Sequence, residues 1–162
     1  MNDLEPLIAE LKYQYHSTLA MVTSLLESCP DEIWDKDFAG VAFWREAYHT
    51  LFWVHNFLGR QDKRFQFHPF GKDIDPRLFT PPNNRCEREQ ALRYAAQTAT
   101  YIDEVFAALT LAELNGPDGY DESNFRSVYH RLMYGLRHGQ HHVGKLTAYL
   151  NLEGIQLNHW KG

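Results

Sequence analysis

The apolar positions of this chain fall into four long stretches with helical spacing, separated by segments rich in proline, glycine and acidic residues. In the first, residues 3–28, Leu4, Leu7, Leu11, Tyr15, Val22 and Leu25 recur at threes, fours and sevens. That spacing predicts an amphipathic helix with one inward face. Pro6 is tolerated in the first turn, where its missing N–H has no intrahelical partner to lose. Ser28, Cys29 and Pro30 end the helix, and Asp31–Trp34 reads as a short turn whose Ile33 and Trp34 cap the core. After Gly40 a second helix runs over about 41–58. It is apolar nearly all round, with Phe43, Trp44, Tyr48, Leu51, Phe52 and Phe57 among its large residues, which predicts burial on most sides. It also carries His49 and His55, and buried imidazoles need partners.

Gly59 stops the second helix, and a loop of about 26 residues, 60–85, follows with Pro69, Pro76, Pro81, Pro82 and four phenylalanines. An irregular loop of that length inside a domain is uncommon and usually functional or packed as a lid. Fully extended it spans roughly 85 Å, against about 30 Å for a 20-residue helix. It is long enough to return along the whole domain, so the second and third helices can run parallel. The third helix covers about 87–109, with Ala91, Leu92, Ala95, Ala99, Ile102, Phe106 and Leu109 inward. A second irregular connection, 111–120, leads to Asp121, Glu122, Ser123 and Asn124, which read as caps for a fourth helix over about 124–152. Val128, Leu132, Leu136, Val143, Leu146 and Leu150 form its apolar stripe, and Gly154 terminates it. Four such helices with no strand pattern predict an all-α four-helix bundle in a single domain, residues 1–162.

Composition narrows the class of protein. With 44% apolar and 14% aromatic residues the 162-residue chain is globular and has enough material for a sizeable core. No apolar run approaches the 18 or more residues that span a bilayer. The opening MNDLEPLIAEL lacks the charged-then-apolar layout of a signal peptide, so a cytoplasmic protein with no membrane partner is expected. A net charge of −5 without a basic stripe argues against nucleic-acid binding. Cys29 and Cys86 are far apart in sequence and form no CxxC pair, which reads as two free thiols.

The chemistry concentrates in the last helix. His138 and His142 stand four apart, one turn above each other on one flank of the apolar stripe. Two imidazoles at this spacing can grip one divalent ion. His130 and His141 point roughly the opposite way, toward solvent. A third ligand is expected from the second helix, where two histidines compete. On a helical wheel His55 lies near the middle of the Trp44–Tyr48–Leu51–Leu58 stripe and His49 about 120° away, so face arithmetic favours His55 slightly. Gly135 and Gly139, one turn apart on the inner face, either leave space for a cleft or let another helix approach closely. Glu46 and Tyr134 lie one turn before His49 and His138, where each is placed to orient a ligand, although solvent exposure is the default for Glu46. Arg137 and Lys145 read as surface charges or as contacts for an anionic substrate.

Three stretches carry a resemblance to a known family. Trp44–Val54 (WREAYHTLFWV) is similar to the helix-two segment of the DinB/YfiT-like superfamily of metal-binding four-helix bundles, and its first metal histidine falls on His49. Arg88–Tyr94 (REQALRY), with Ala108–Thr110, is similar to that family's third helix. His138–Lys145 (HGQHHVGK) resembles its HxxxHxG signature, which falls on His138 and His142. The likeness covers nearly the whole chain. It implies an up-down-down-up helix order and one divalent ion, commonly zinc, nickel or iron, on His49, His138 and His142. His55, often acidic in similar sequences, is then a partner to a ligand, a fourth ligand or a hydrogen-bonded core histidine. Where the family often has Arg-Gly-Gln after the last histidine this chain has Val143, Gly144 and Lys145, which weakens any transfer of activity.

Three neutral imidazoles leave a divalent ion its full charge, so a bound water or thiol would be acidified toward neutral pH. Relatives in the superfamily include transferases and isomerases that use low-molecular-weight thiols, and others are described as metal-dependent hydrolases. The resemblance therefore implies a metal-dependent enzyme of thiol-transfer or hydrolytic type acting on a small molecule. The alternative is a non-catalytic, stress-associated metal-binding bundle, as a monomer or a homodimer, in which the ion is structural or sensory.

Overall fold

The computed structural model describes residues 5–59, 74–79, 81–82, 84–118, 125–157 and 160. Among these lie six helices and one hairpin, in the order α1 (Glu5–Ser28), α2 (Asp31–Trp34), β1 (Asp37–Phe38), β2 (Val41–Ala42), α3 (Phe43–Leu58), α4 (Arg88–Ala108), α5 (Leu111–Asn115) and α6 (Val128–Leu152). The protein is predominantly helical, and the four long helices coincide with the four apolar stretches. None of the described helices is long and apolar enough to cross a membrane.

Boundaries differ from expectation in four places, one of them residues 111–115, which were expected in an irregular connection and form α5, held by the reciprocal capping box of Thr110 and Glu113. Residues 31–34, read as a turn, form one turn of helix with Ile33 and Trp34 buried. Val41 and Ala42 belong to a hairpin and not to the second helix, with Asp37 paired to Ala42 and Phe38 to Val41. The hairpin turns on Ala39 (φ 56°) and Gly40 (φ 91°), and two successive positive φ values give the twist a two-residue turn needs. Strands of two residues are too short to show alternation. The last helix begins at Val128, capped by the Ser127 side chain, which accepts from the His130 N–H. The expected caps at 121–124, like Leu4, lie outside the described residues.

α3 is the central element. Every one of its residues except Trp53 and His55 is buried, as an all-round apolar helix requires. Along α4, Tyr48 meets Tyr94 (ring centroids 6.2 Å apart) and, seven residues further along each helix, His55 stacks on Tyr101 at 4.4 Å. Along α6, Glu46 meets His142 and Lys145, while Phe57 meets Tyr134 at 5.0 Å. α1 closes the other side. The Tyr15 O–H donates to the Leu132 carbonyl at 2.9 Å, and the Gln140 amide donates to the Thr18 hydroxyl at 2.9 Å. Tyr15 also packs on Phe106 of α4, and Lys12 and His16 reach Asp103.

The glycines of α6 serve packing. A Cβ on Gly135 would stand 2.5 Å from the Tyr15 hydroxyl and 2.8 Å from the Phe57 Cβ; one on Gly139 would stand 3.0 and 3.1 Å from methyls of Thr18 and Val54. α1 and α3 therefore occupy the space beside these glycines. Gly135→Ala should cost about 1–3 kcal/mol through overpacking. At Gly144 nothing lies within 4 Å, so Gly144→Ala should be neutral or stabilise by up to about 1 kcal/mol. Urea denaturation of the two variants checks both values; equal effects would contradict the close approach at Gly135.

A buried charge pair fastens the far end of α3. Arg131 Nε donates to Asp118 Oδ1 at 2.5 Å, and both side chains are almost completely buried. The same guanidinium donates to the Phe57 carbonyl in the last turn of α3, where carbonyls lack intrahelical donors and a cation is favoured.

Candidate metal centre

The site forms where the middle of α6 crosses the first half of α3. His138 and His142 project from one face of α6 because they are four residues apart. His49 reaches them from α3. His49 Nε2 lies 3.1 Å from His142 Nε2, and His142 Nε2 lies 3.2 Å from His138 Nε2. These are the only three His, Cys, Asp or Glu side chains among the described residues whose donor atoms converge in this way, all within 4.8 Å of one another. His49 is 8% exposed and His142 6%, while His138 is half-buried. His55 is elsewhere, packed against Tyr94 and Tyr101 of α4. The helical wheel favoured the wrong histidine because α3 is covered on every side, so centrality on one stripe says little.

The outer nitrogens decide what the inner ones can do. His49 Nδ1 donates to the Pro76 carbonyl at 2.6 Å, an acceptor that has no proton to give. His142 Nδ1 donates to Glu46 Oε1. Burial would raise the Glu46 carboxyl, but hydrogen bonds from His142 and Lys145 outweigh it and hold the group below its ordinary range, so it too only accepts. Neutral imidazole carries one N–H. With that proton on Nδ1 in both rings, two Nε2 lone pairs face each other across 3.1 Å. That contact is repulsive unless a cation lies between them. A proton would serve, but burial first and the neighbouring His142 second push His49 down to about 4. Burial, then His142 and His49, push His138 down to about 3. A divalent metal ion held by the three Nε2 atoms is a cation that can fill the same role. Two nitrogens bound tetrahedrally at zinc's usual 2.0–2.1 Å lie about 3.3 Å apart, close to the spacings observed.

Other candidates fall as follows. Glu46, read as solvated by default, is 0% exposed. Lys145, read as a surface charge or substrate contact, lies on Glu46 Oε2 at 2.8 Å. Tyr134 approaches His138 ring to ring at 6.1 Å, and Trp53 and Phe57 complete an aromatic wall around that imidazole. Arg137 is exposed and lies over the Tyr134 ring. His141 is exposed as expected, but His130 is half-buried beside Phe125, and its Nδ1 accepts from the Arg126 N–H. Cys29 and Cys86 are buried free thiols, each pushed up to about 12 chiefly by burial, which leaves them unreactive.

The Pro76 carbonyl is the group that sequence pattern could not supply. It comes from the returning arm of the 60–85 loop, seated by the buried Ile74 and Pro76 and by Arg45, which donates to the Arg77 carbonyl at 3.1 Å. The loop residues at 60–73 lie outside the described residues.

His55 offers a pH test independent of the ion. Burial pushes it down to about 4 in the folded chain, against about 6.5 unfolded. The unfolded state therefore takes up the proton first. Stability from this group is complete above about pH 6.5 and is lost as pH falls toward 4. The loss is on the order of 3 kcal/mol. Urea denaturation of chelator-treated protein at pH 7 and pH 4.5 should show a smaller acid loss for His55→Phe than for the parent chain. An identical loss would contradict burial of a neutral imidazole.

Comparison with family models, with curated proteins and with solved structures finds no match to this chain. What fold and site define is a predominantly helical protein with a three-histidine cluster that can hold a metal ion.

Proposed function

We propose that this chain is a DinB-like, single-domain four-helix bundle that binds one divalent ion through His49, His138 and His142 and acts as a metal-dependent enzyme of thiol-transfer or hydrolytic type. The observation that carries the metal reading is the pair of facing Nε2 atoms of His49 and His142, whose Nδ1 protons are both committed elsewhere. The helix order up-down-down-up is supported by the contact pairs. Tyr48–Tyr94 and His55–Tyr101 advance together along α3 and α4, as parallel neighbours do. Glu46–His142 and Phe57–Tyr134 advance oppositely along α3 and α6. Tyr15–Leu132 and Thr18–Gln140 advance together along α1 and α6.

Among the described residues three protein donors converge, a set that leaves a tetrahedral ion one position for a substrate or water and favours catalysis over a closed structural site. Glu46 does not fill that position, since both its oxygens are engaged. When bound, the ion supplies Lewis acidity that makes a thiol or water nucleophilic near neutral pH. The chain's own contribution is placement. His49 and His142 are fixed by their Nδ1 contacts, and Trp53, Phe57 and Tyr134 pack around the ring of His138.

The test is turnover of protein loaded with zinc, nickel or iron(II), offered small thiols with electrophiles and, separately, hydrolysable esters and amides. Metal-dependent turnover that disappears in His49→Ala supports the reading. A loaded cobalt(II) form that is inactive throughout, with a visible spectrum unmoved by added thiol or azide, overturns the catalytic part and leaves a structural or sensory ion.

A further inference from the structure

Beside the imidazole cluster, α3 and α6 share a second line of contacts. Glu46 has no exposed surface, and its two oxygens are divided. Oε1 accepts from His142 Nδ1, and Oε2 accepts from Lys145 Nζ at 2.8 Å. His142 and Lys145 are three residues apart, so one face of α6 presents both donors to one carboxylate. The Lys145 side chain remains 33% exposed, so the line runs from solvent through an ammonium and a carboxylate to the imidazole. A carboxylate this deep is costly unless it is paired and fully hydrogen-bonded. The arrangement meets both needs and places the negative charge against a ring whose other nitrogen faces His49 and His138.

We propose that Glu46 is the positioning residue of the metal centre and that Lys145 sets how strongly it acts. The carboxylate locks His142 in the tautomer with its proton on Nδ1 and aims Nε2 into the cluster, while the ammonium shares the carboxylate's charge and moderates its pull on that proton. This rests on the reading of the cluster as a metal site. Partners of this kind raise the donor strength of a ligating histidine, and their loss commonly weakens metal affinity about 10- to 100-fold. Removing Lys145 has the opposite sense, because the whole charge of the carboxylate then bears on His142.

The experiment pairs two readouts on the full-length chain: zinc affinity by competition with a chromophoric chelator, and the imidazole nitrogen–proton NMR spectrum of the metal-free protein. Glu46→Ala should bind zinc about 10- to 100-fold more weakly and lose the fixed Nδ1-protonated signature of His142. Glu46→Gln, whose amide oxygen still accepts that proton but carries no charge, should restore the signature and bind zinc more weakly than the parent chain and more tightly than Glu46→Ala, the opposite direction to Lys145→Met. Lys145→Met should bind zinc at least as tightly as the parent chain and keep the signature. If Glu46→Ala does not fold, the near-isosteric Glu46→Gln and Lys145→Met pair carries the test by itself. A purely structural ion pair would make Glu46→Ala and Lys145→Met equally destabilising with zinc affinity and tautomer unchanged, and that result overturns the proposal alone. A parent chain that binds no zinc overturns both the proposal and the metal reading, whatever the tautomer spectrum shows.

Discussion

Replacing His142 with alanine should lower zinc affinity on the order of a hundredfold or more, because one of the three converging imidazoles of the proposed site is lost. His142 is the centre of the cluster: the other two Nε2 atoms lie 3.1 and 3.2 Å from its own. His49→Ala and His138→Ala should also weaken binding strongly. His55→Ala should leave it unchanged, since that ring packs on Tyr101 at the α4 interface. Chelator competition on the four variants measures this directly, and the same set can be read with nickel and iron(II), for which imidazole donors are also suited. Equal losses for His55→Ala and His49→Ala would contradict the geometry, as would full affinity in His142→Ala.

The largest effect on stability belongs to Arg131→Met, which should cost about 3–5 kcal/mol. The substitution leaves the Asp118 carboxylate buried without its cation and removes the donor to the Phe57 carbonyl. Hydrophobic replacement of both members is expected to recover much of the loss, since a buried pair is often no more stable than well-packed apolar residues. Arg137→Met, at an exposed position of the same helix, is the control and should change stability by no more than about 0.5 kcal/mol. Urea midpoints at fixed slope compare the three variants. A small effect at Arg131 would mean that water reaches the pair.

The predominantly helical fold was legible because three- and four-residue spacing is a strong signal in stretches of 20 residues or more, as in α1, α4 and α6. His138 and His142 were legible for the same reason: four residues is one helical turn. His49 was not separable from His55 by periodicity on a helix buried all round, and only the resemblance pointed to it. Glu46 was legible as a residue placed to orient a ligand, although exposure was its default reading; Lys145 was read as a surface charge or substrate contact, and Arg131 was missed. Charge alone predicts exposure, and what buries these residues is a partner on another helix, which spacing within one helix cannot reveal. The Pro76 carbonyl left no trace at all, because a backbone acceptor is the same in every residue type. The hairpin at 37–42 was hidden by strands only two residues long.

Whether an ion sits among these three imidazoles is settled most directly by X-ray absorption at the zinc edge, on protein purified without chelators and reloaded with one equivalent of zinc. The account predicts three imidazole nitrogens at about 2.0–2.1 Å with one further light-atom donor, and a changed spectrum in His142→Ala. A zinc environment without imidazole scattering, or one identical in His142→Ala, would contradict it.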